Sequence, residues 1–225
     1  MKVQAHPDYF CPLSLKLPQT AKSFLQEFFV DDLKEQQSKK RQLGLYPLPD
    51  STALVELKEL VDNFLAPLEL AAGSYGAFAL KESTQDVNIH VDAMRLNTRL
   101  SFYELAETPG VINWWQDDGT GYEAWRPSYL GGGPILDYRF PWVDDLQAGK
   151  RTWDEVPKPV FGTSTAVPSA LVMTALPHNV FQGPGFRITV TCQIVNRQTR
   201  SVENTWRQVQ QHFNSIALPA SAYES

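Results

Sequence analysis

The stretch Phe186-Arg187-Ile188-Thr189-Val190-Thr191-Cys192-Gln193-Ile194 alternates apolar and polar residues without a break. A period of two belongs to a β-strand, whose successive side chains point to opposite faces. One face is then Phe186, Ile188, Val190, Cys192 and Ile194; the other is Arg187, Thr189, Thr191 and Gln193. A strand needs neighbours, and β-rich segments recur at Tyr75 to Leu80, Val87 to His90, Leu96 to Leu105 and Ala170 to Leu176, parted by turn residues. With 16 Pro and 13 Gly spread through 225 residues, many short elements are favoured over long helices. The expected class is mainly β, a sandwich or barrel.

Helical periodicity is confined to the flanks. Phe24, Leu25, Phe28, Phe29 and Leu33 recur at three- and four-residue spacing, predicting a helix from about Gln19 to Leu43 with Thr20 as its cap and Gly44 as its stop. The polar run Lys34 to Gln42 reads as a solvated helix face in preference to a phosphate-binding patch. A second helix is predicted from near Asp50 and Ser51, with Leu54, Leu57, Val61, Phe64 and Leu65 on one face, ending before Pro67. A third, Ser201 to Ile216, sets Trp206, Val209, Phe213 and Ile216 on one side.

At 43% hydrophobic the chain can bury a core, and a single domain is the natural count. Its 20 Lys and Arg against 25 Asp and Glu give a net charge of −5, which excludes a strongly basic nucleic-acid binder. No run reaches the roughly 18 apolar residues of a membrane span, and the start Met1-Lys2-Val3-Gln4-Ala5-His6-Pro7 lacks a signal peptide's apolar stretch. The expectation is a cytoplasmic protein acting on a small molecule or polypeptide, with its oligomeric state open. Cys11 and Cys192 have no CxxC partner and read as reduced packing residues.

Chemistry concentrates on two of the four histidines. His6 and His212 have no obvious partner, but Val87-Asn88-Ile89-His90-Val91-Asp92 sets an imidazole and a carboxylate two residues apart at a strand end, on one side. A mononuclear Fe(II) site of the facial-triad kind needs two imidazoles and one carboxylate. His178, between the strand ending at Leu176 and the one beginning at Phe186, supplies a distant second imidazole. Arg187 follows nine residues later, and Thr189 shares its strand face, an arrangement suited to gripping a carboxylate through a two-pronged charge-assisted bond plus a hydroxyl.

The ordered set His90-Val91-Asp92, His178 and Arg187-Ile188-Thr189 resembles the non-haem Fe(II) and 2-oxoglutarate-dependent oxygenases, whose pattern is His-x-Asp, a distal His, then Arg-x-Ser or Arg-x-Thr about ten residues on. The resemblance covers roughly Tyr75 to Val195. It implies a double-stranded β-helix, a cupin-like jelly roll, over about 71–198, flanked by helical parts at about 15–70 and 200–217. It implies His90, Asp92 and His178 as catalytic iron ligands, and Arg187 with Thr189 on the distal carboxylate of 2-oxoglutarate. Tyr75 is the first candidate for a further contact to that carboxylate, with Asn97 and Tyr103 behind it. The implied reaction uses O2 and couples decarboxylation of 2-oxoglutarate to succinate with C–H oxidation of a substrate the sequence does not name. Hydroxylation is the default outcome, and desaturation or demethylation would use the same residues.

The gap from Asp92 to His178 is long for that family, and an insertion at about 113–160 accounts for it. The stretch from Trp114 to Trp153 holds five of the six tryptophans with Tyr122, Tyr129, Tyr138 and Gly131-Gly132-Gly133. It reads either as a substrate-facing lid, with Trp114, Trp115, Trp125 and Arg126 against the substrate, or as a second hydrophobic cluster. Arg126 and Arg139 are expected to pair with Asp117, Asp118 or Asp137, and Asp144-Asp145 to be solvated. The rival to an enzyme is a non-catalytic jelly-roll module with a Trp-rich platform for a carbohydrate or peptide. A cupin-type enzyme without 2-oxoglutarate would share the barrel but not need Arg187.

Overall fold

The computed structural model describes residues 1–36, 45–48, 50–80, 89–92, 98–126, 135–181 and 184–223. Within them the protein is mainly β, all its strand pairings are antiparallel, and a few helices pack outside the sheets. The larger sheet takes β1 (Phe10–Leu13), β2 (Leu45–Pro47), β3 (Leu70–Leu80), β4 (Thr98–Ala106), β9 (Ser169–Met173) and β11 (Arg187–Asn196) in the order β1-β9-β4-β11-β3-β2. A smaller sheet has the order β10-β5-β8, from β5 (Val111–Trp114), β8 (Phe161–Ser164) and β10 (His178–Phe181). The connection from β5 to β8 carries a hairpin of β6 (Tyr122–Arg126) and β7 (Ile135–Arg139), then α3 (Pro141–Gln147).

The alternation of β11 decides what the large sheet buries on each side. Ile188, Val190, Cys192 and Ile194 join Leu100, Phe102, Leu105, Leu171, Ala77 and Ala79 under three helices: α1 (Gln19–Gln36), α2 (Val55–Leu65) and α4 (Thr205–Ile216). Leu25 and Phe29 of α1, Leu57, Val61 and Leu65 of α2, and Trp206 and Val209 of α4 close that layer. Each such side chain contributes about 1.5–3 kcal/mol on burial. The other face looks toward the small sheet across a core of Phe10, Tyr103, Ile112, Trp114, Val167, Ala170 and Val172. Arg187, Thr189 and Thr191 alternate onto this inner face, so polar groups there are enclosed between two sheets.

Several elements differ from expectation. Residues 37–44, where helix α1 was expected to run on to Leu43 and stop at Gly44, lie outside the described residues. Thr20 does not cap α1: its hydroxyl donates to Glu56 Oε2 at 2.7 Å, tying α1 to α2. Helix α2 ends at Leu65, and a short 3₁₀ turn carries the chain through Pro67 to Leu68. Strand β3 begins five residues before Tyr75, through Ala71-Ala72-Gly73-Ser74, where small residues had hidden the pattern. Cys11 and Cys192 are free and buried on the helix side, where burial pushes each thiol up to about 12. Among the described residues no helix is long and apolar enough to cross a membrane.

Candidate metal centre

His90 and His178 face each other in an isolated antiparallel bridge: His90 N donates to His178 O at 3.0 Å, and His178 N donates to His90 O at 2.9 Å. Directly opposed residues project to one side, so the rings lie together, centroids 4.7 Å apart. The strand expected at Val87 to His90 reduces to this bridge, residues 87 and 88 lying outside the described set. Asp92 is placed by its N–H, which donates to Thr174 O at 3.1 Å, and its Oδ1 stands 3.6 Å from His90 Nε2. One ligand atom each from His90, Asp92 and His178 lie within 4.8 Å of one another. Two atoms each about 2.1 Å from one ion stand at most about 4.2 Å apart, so a side-chain adjustment lets this group hold a metal.

The ionisation states suit that task. His178 Nδ1 lies 2.8 Å from Leu176 O, and since a carbonyl only accepts, Nδ1 carries the proton and Nε2 presents its lone pair. Burial pushes the His178 pKa down to about 4, the neighbouring His90 adds to the shift, and Asp92 only partly opposes it. Burial would raise the Asp92 carboxyl, but the Arg99 charge and His90 outweigh it and hold the group well below the usual carboxylate range. The neutral His178 ring, the anionic Asp92 oxygen and the second imidazole of His90 together offer the nitrogen and oxygen donor types that divalent iron accepts.

Metal-free protein is expected to lose about 3 kcal/mol of stability as the pH falls from 6.5 to 4. The unfolded chain protonates at this histidine near 6.5 and the folded chain only near 4, so between them the unfolded state binds the extra proton and is favoured. Urea midpoints measured in a chelator should show the decline in the native sequence and not in His178→Gln. Identical pH profiles for the two would contradict the assignment.

On the inner face of the large sheet, Arg187 and Thr189 are 5% and 6% exposed, and Arg187 Nε and Thr189 Oγ1 have no hydrogen-bond partner among the described residues. Burial pushes the guanidinium down only to about 10, so it stays charged at neutral pH. Gly110 runs close against it: a Cβ there would stand 3.4 Å from Arg187 Nη1 and 2.7 Å from Phe181 O. Asn179 Nδ2 is likewise buried without a partner, but Asn179 alternates with His178 along β10 and so projects from the strand's other side.

The three residues expected to help Arg187 fall in different places. Tyr75 opposes Cys192 and points to the helix side, away from Arg187, beside a cavity of about 200 Å³ lined by Leu48, Leu54 and Leu57. Tyr103 is on the inner face, 7% exposed, and feels the Arg187 charge. Asn97 lies outside the described residues. Arg99, Ser101 and Thr191 are inner-face residues not singled out from sequence. The Ser101 hydroxyl donates to Thr191 Oγ1 at 3.3 Å, and Arg99 bonds Asp92. The period-two spacing of Arg99, Ser101 and Tyr103 within β4 was the signal that could have found them.

The aromatic segment corrects the lid reading for two of its members. Trp114 is 0% exposed between the sheets, its Nε1 donating to Met173 O at 2.8 Å, and Trp115 is 2% exposed, donating to Pro157 O at 3.0 Å. An indole with its ring packed and its N–H satisfied has no surface left to offer a substrate. Trp115 packs with Phe140, Trp142, Val143 and Val156 around Ile89 and Val91, the residues that flank His90, while Val91 also bridges Tyr138. This cluster packs around the segment that carries His90. Trp125 and Arg126 lie on β6, paired with Leu136 and Ile135. Arg139 pairs with Asp144 at 3.7 Å, Tyr122 also donates to Asp144, and Asp145 holds Lys150 and Arg151, so Asp144-Asp145 is engaged rather than merely solvated. His6 is held too, accepting from Asp8 N at 3.1 Å and packing on Tyr9 and Phe161.

No protein-family model matches the chain, and no curated protein sequence matches it. Among solved structures it is similar to HygX from Streptomyces hygroscopicus with nickel and 2-oxoglutarate bound: 14% identity, 83% of this chain and 82% of that one covered, TM-score 0.42. The iron-bound form of HygX gives 13% identity, 82% and 80% coverage and a TM-score of 0.38. AviO1 from Streptomyces viridochromogenes Tue57 gives 14%, 83% and 89%, and 0.39. At these values the likeness decides neither fold family nor activity.

Proposed function

We propose that the protein is an Fe(II)- and 2-oxoglutarate-dependent oxygenase on a double-stranded β-helix, with His90, Asp92 and His178 holding iron and Arg187 with Thr189 holding the far carboxylate of 2-oxoglutarate. The observation that carries this reading is the pair Arg187 Nε and Thr189 Oγ1, buried without a hydrogen-bond partner among the described residues on the inner face of the large sheet, the face from which Arg99 reaches Asp92 of a His-Asp-His group that can take a metal. A buried polar atom without a partner is costly, and a charged one more so, so a site that keeps both is built for a ligand that completes them. A carboxylate fits: it accepts from both groups and neutralises the guanidinium.

Bound at the triad, iron together with 2-oxoglutarate and O2 supplies oxidation of a substrate C–H bond, coupled to loss of CO2 from the keto acid. The chain's own work is preparation. Leu176 O fixes the His178 tautomer so that the Nε2 lone pair would be available to an ion, while Thr174 O and Arg99 fix Asp92. Arg187 would set the direction of the keto acid, and Tyr103, Ile112 and Val172, buried together between the sheets, keep that side of the large sheet dry. A carbohydrate or peptide platform is less well supported, since Trp114 and Trp115 are buried, and a cupin enzyme without 2-oxoglutarate leaves Arg187 unexplained.

Anaerobic addition of Fe(II) and then 2-oxoglutarate should produce a weak visible charge-transfer band that neither gives alone. A folded, iron-loaded sample that shows no such band would overturn the proposal.

A further inference from the structure

Arg99 sits on the inner face of β4, opposite Gln193 of β11 and Val172 of β9, and its Nε donates to Asp92 Oδ2. The two side chains are 15% and 12% exposed, so the pair is sheltered from the screening that makes surface ion pairs weak. The two carboxylate oxygens therefore have different duties. Oδ2 is taken by Arg99, and Oδ1 is the oxygen 3.6 Å from His90 Nε2.

We propose that Arg99 is a positioning residue that confines Asp92 to one-oxygen coordination through Oδ1 and so keeps the neighbouring coordination positions open for a chelating keto acid. This rests on the metal reading above. A carboxylate free at both oxygens can close on an ion with both, occupying a position that the co-substrate needs. The guanidinium also differs from usual outer-shell partners. A carboxylate accepting from a metal-bound imidazole raises that ligand's basicity, whereas a cation donating to Asp92 withdraws charge from it. Arg99 thus gives up some metal affinity while leaving more positive charge for an anionic chelate.

The two effects act in the same direction, which makes the inference testable with Co(II) as the probe. In Arg99→Gln, Co(II) affinity should be unchanged or tighter, the visible Co(II) spectrum should shift, and 2-oxoglutarate affinity for the Co(II) protein should fall about tenfold or more, the scale on which outer-shell partners act. Arg99→Lys, which keeps the charge and one donor, should recover most of that loss. A merely structural role predicts Co(II) and 2-oxoglutarate affinity falling together with the metal-free melting temperature. That outcome, or an Arg99→Gln protein indistinguishable from the native one, overturns the inference. Native protein that takes up no Co(II) fails the metal reading itself, and this inference with it.

Discussion

Replacing Arg187 by methionine should weaken 2-oxoglutarate binding about a hundredfold or more while making the metal-free protein more stable. The side chain is 5% exposed, its Nε has no partner, and the charged form persists because its pKa falls only to about 10. Among the described residues no carboxylate pairs with it, so folding carries a desolvation cost that a bound carboxylate would offset. Exchange of buried charges for apolar side chains of similar volume typically gains about 1–4 kcal/mol, and methionine's flexible thioether can fill the space beside Gly110. With ligand the sign reverses. Loss of a sheltered charge-assisted pair costs about 3–5 kcal/mol, or some 10²- to 5 × 10³-fold in affinity. Calorimetric titration of 2-oxoglutarate into metal-loaded protein, beside urea unfolding of metal-free protein, reads both. Metal affinity should be unchanged, and equal loss of metal and 2-oxoglutarate would argue that Arg187 is only a structural residue.

The sequence made this residue visible for a physical reason. Strand β11 lies between β3 and β4 in the middle of the large sheet, and a central strand with one apolar face against helices and one polar face toward a cleft must alternate. That His90 and Asp92 of the group that could hold a metal share one side was legible because a two-residue spacing puts side chains on one side, even though His90 and Val91 form only single bridges. The short strands were not legible. Strand β1 contains Pro12, tolerated because β1 is an edge strand; β10 begins His178-Asn179, two buried polar residues that no apolar alternation marks as strand. Tyr75 failed for a different reason. A phenol beside a predicted strand says nothing about which face it takes until register is known, and pairing with Cys192 sends it to the helix side.

The aromatic segment is where composition and structure part most, and Phe140→Ala tests what it does. Phe140 is 0% exposed, packed against Tyr138 and Trp142 with ring centroids 5.3 and 5.7 Å away, in the cluster that also buries Ile89 and Val91. Truncation should cost about 3–5 kcal/mol of stability in that cluster. Phe29→Ala offers the control. It too is 0% exposed, but it lies under the helices on the far side of the large sheet. Both variants should lower the urea midpoint. Only Phe140→Ala should also weaken Co(II) binding under fully native conditions, by about tenfold, because the backbone between Ile89 and Val91 carries His90 and no regular strand pairing holds it. If both variants bind Co(II) like the native protein, the cluster is a packing element with no hold on the triad. If both weaken it alike, metal affinity follows global stability, and the separate grip assigned to the tryptophan-rich segment is wrong.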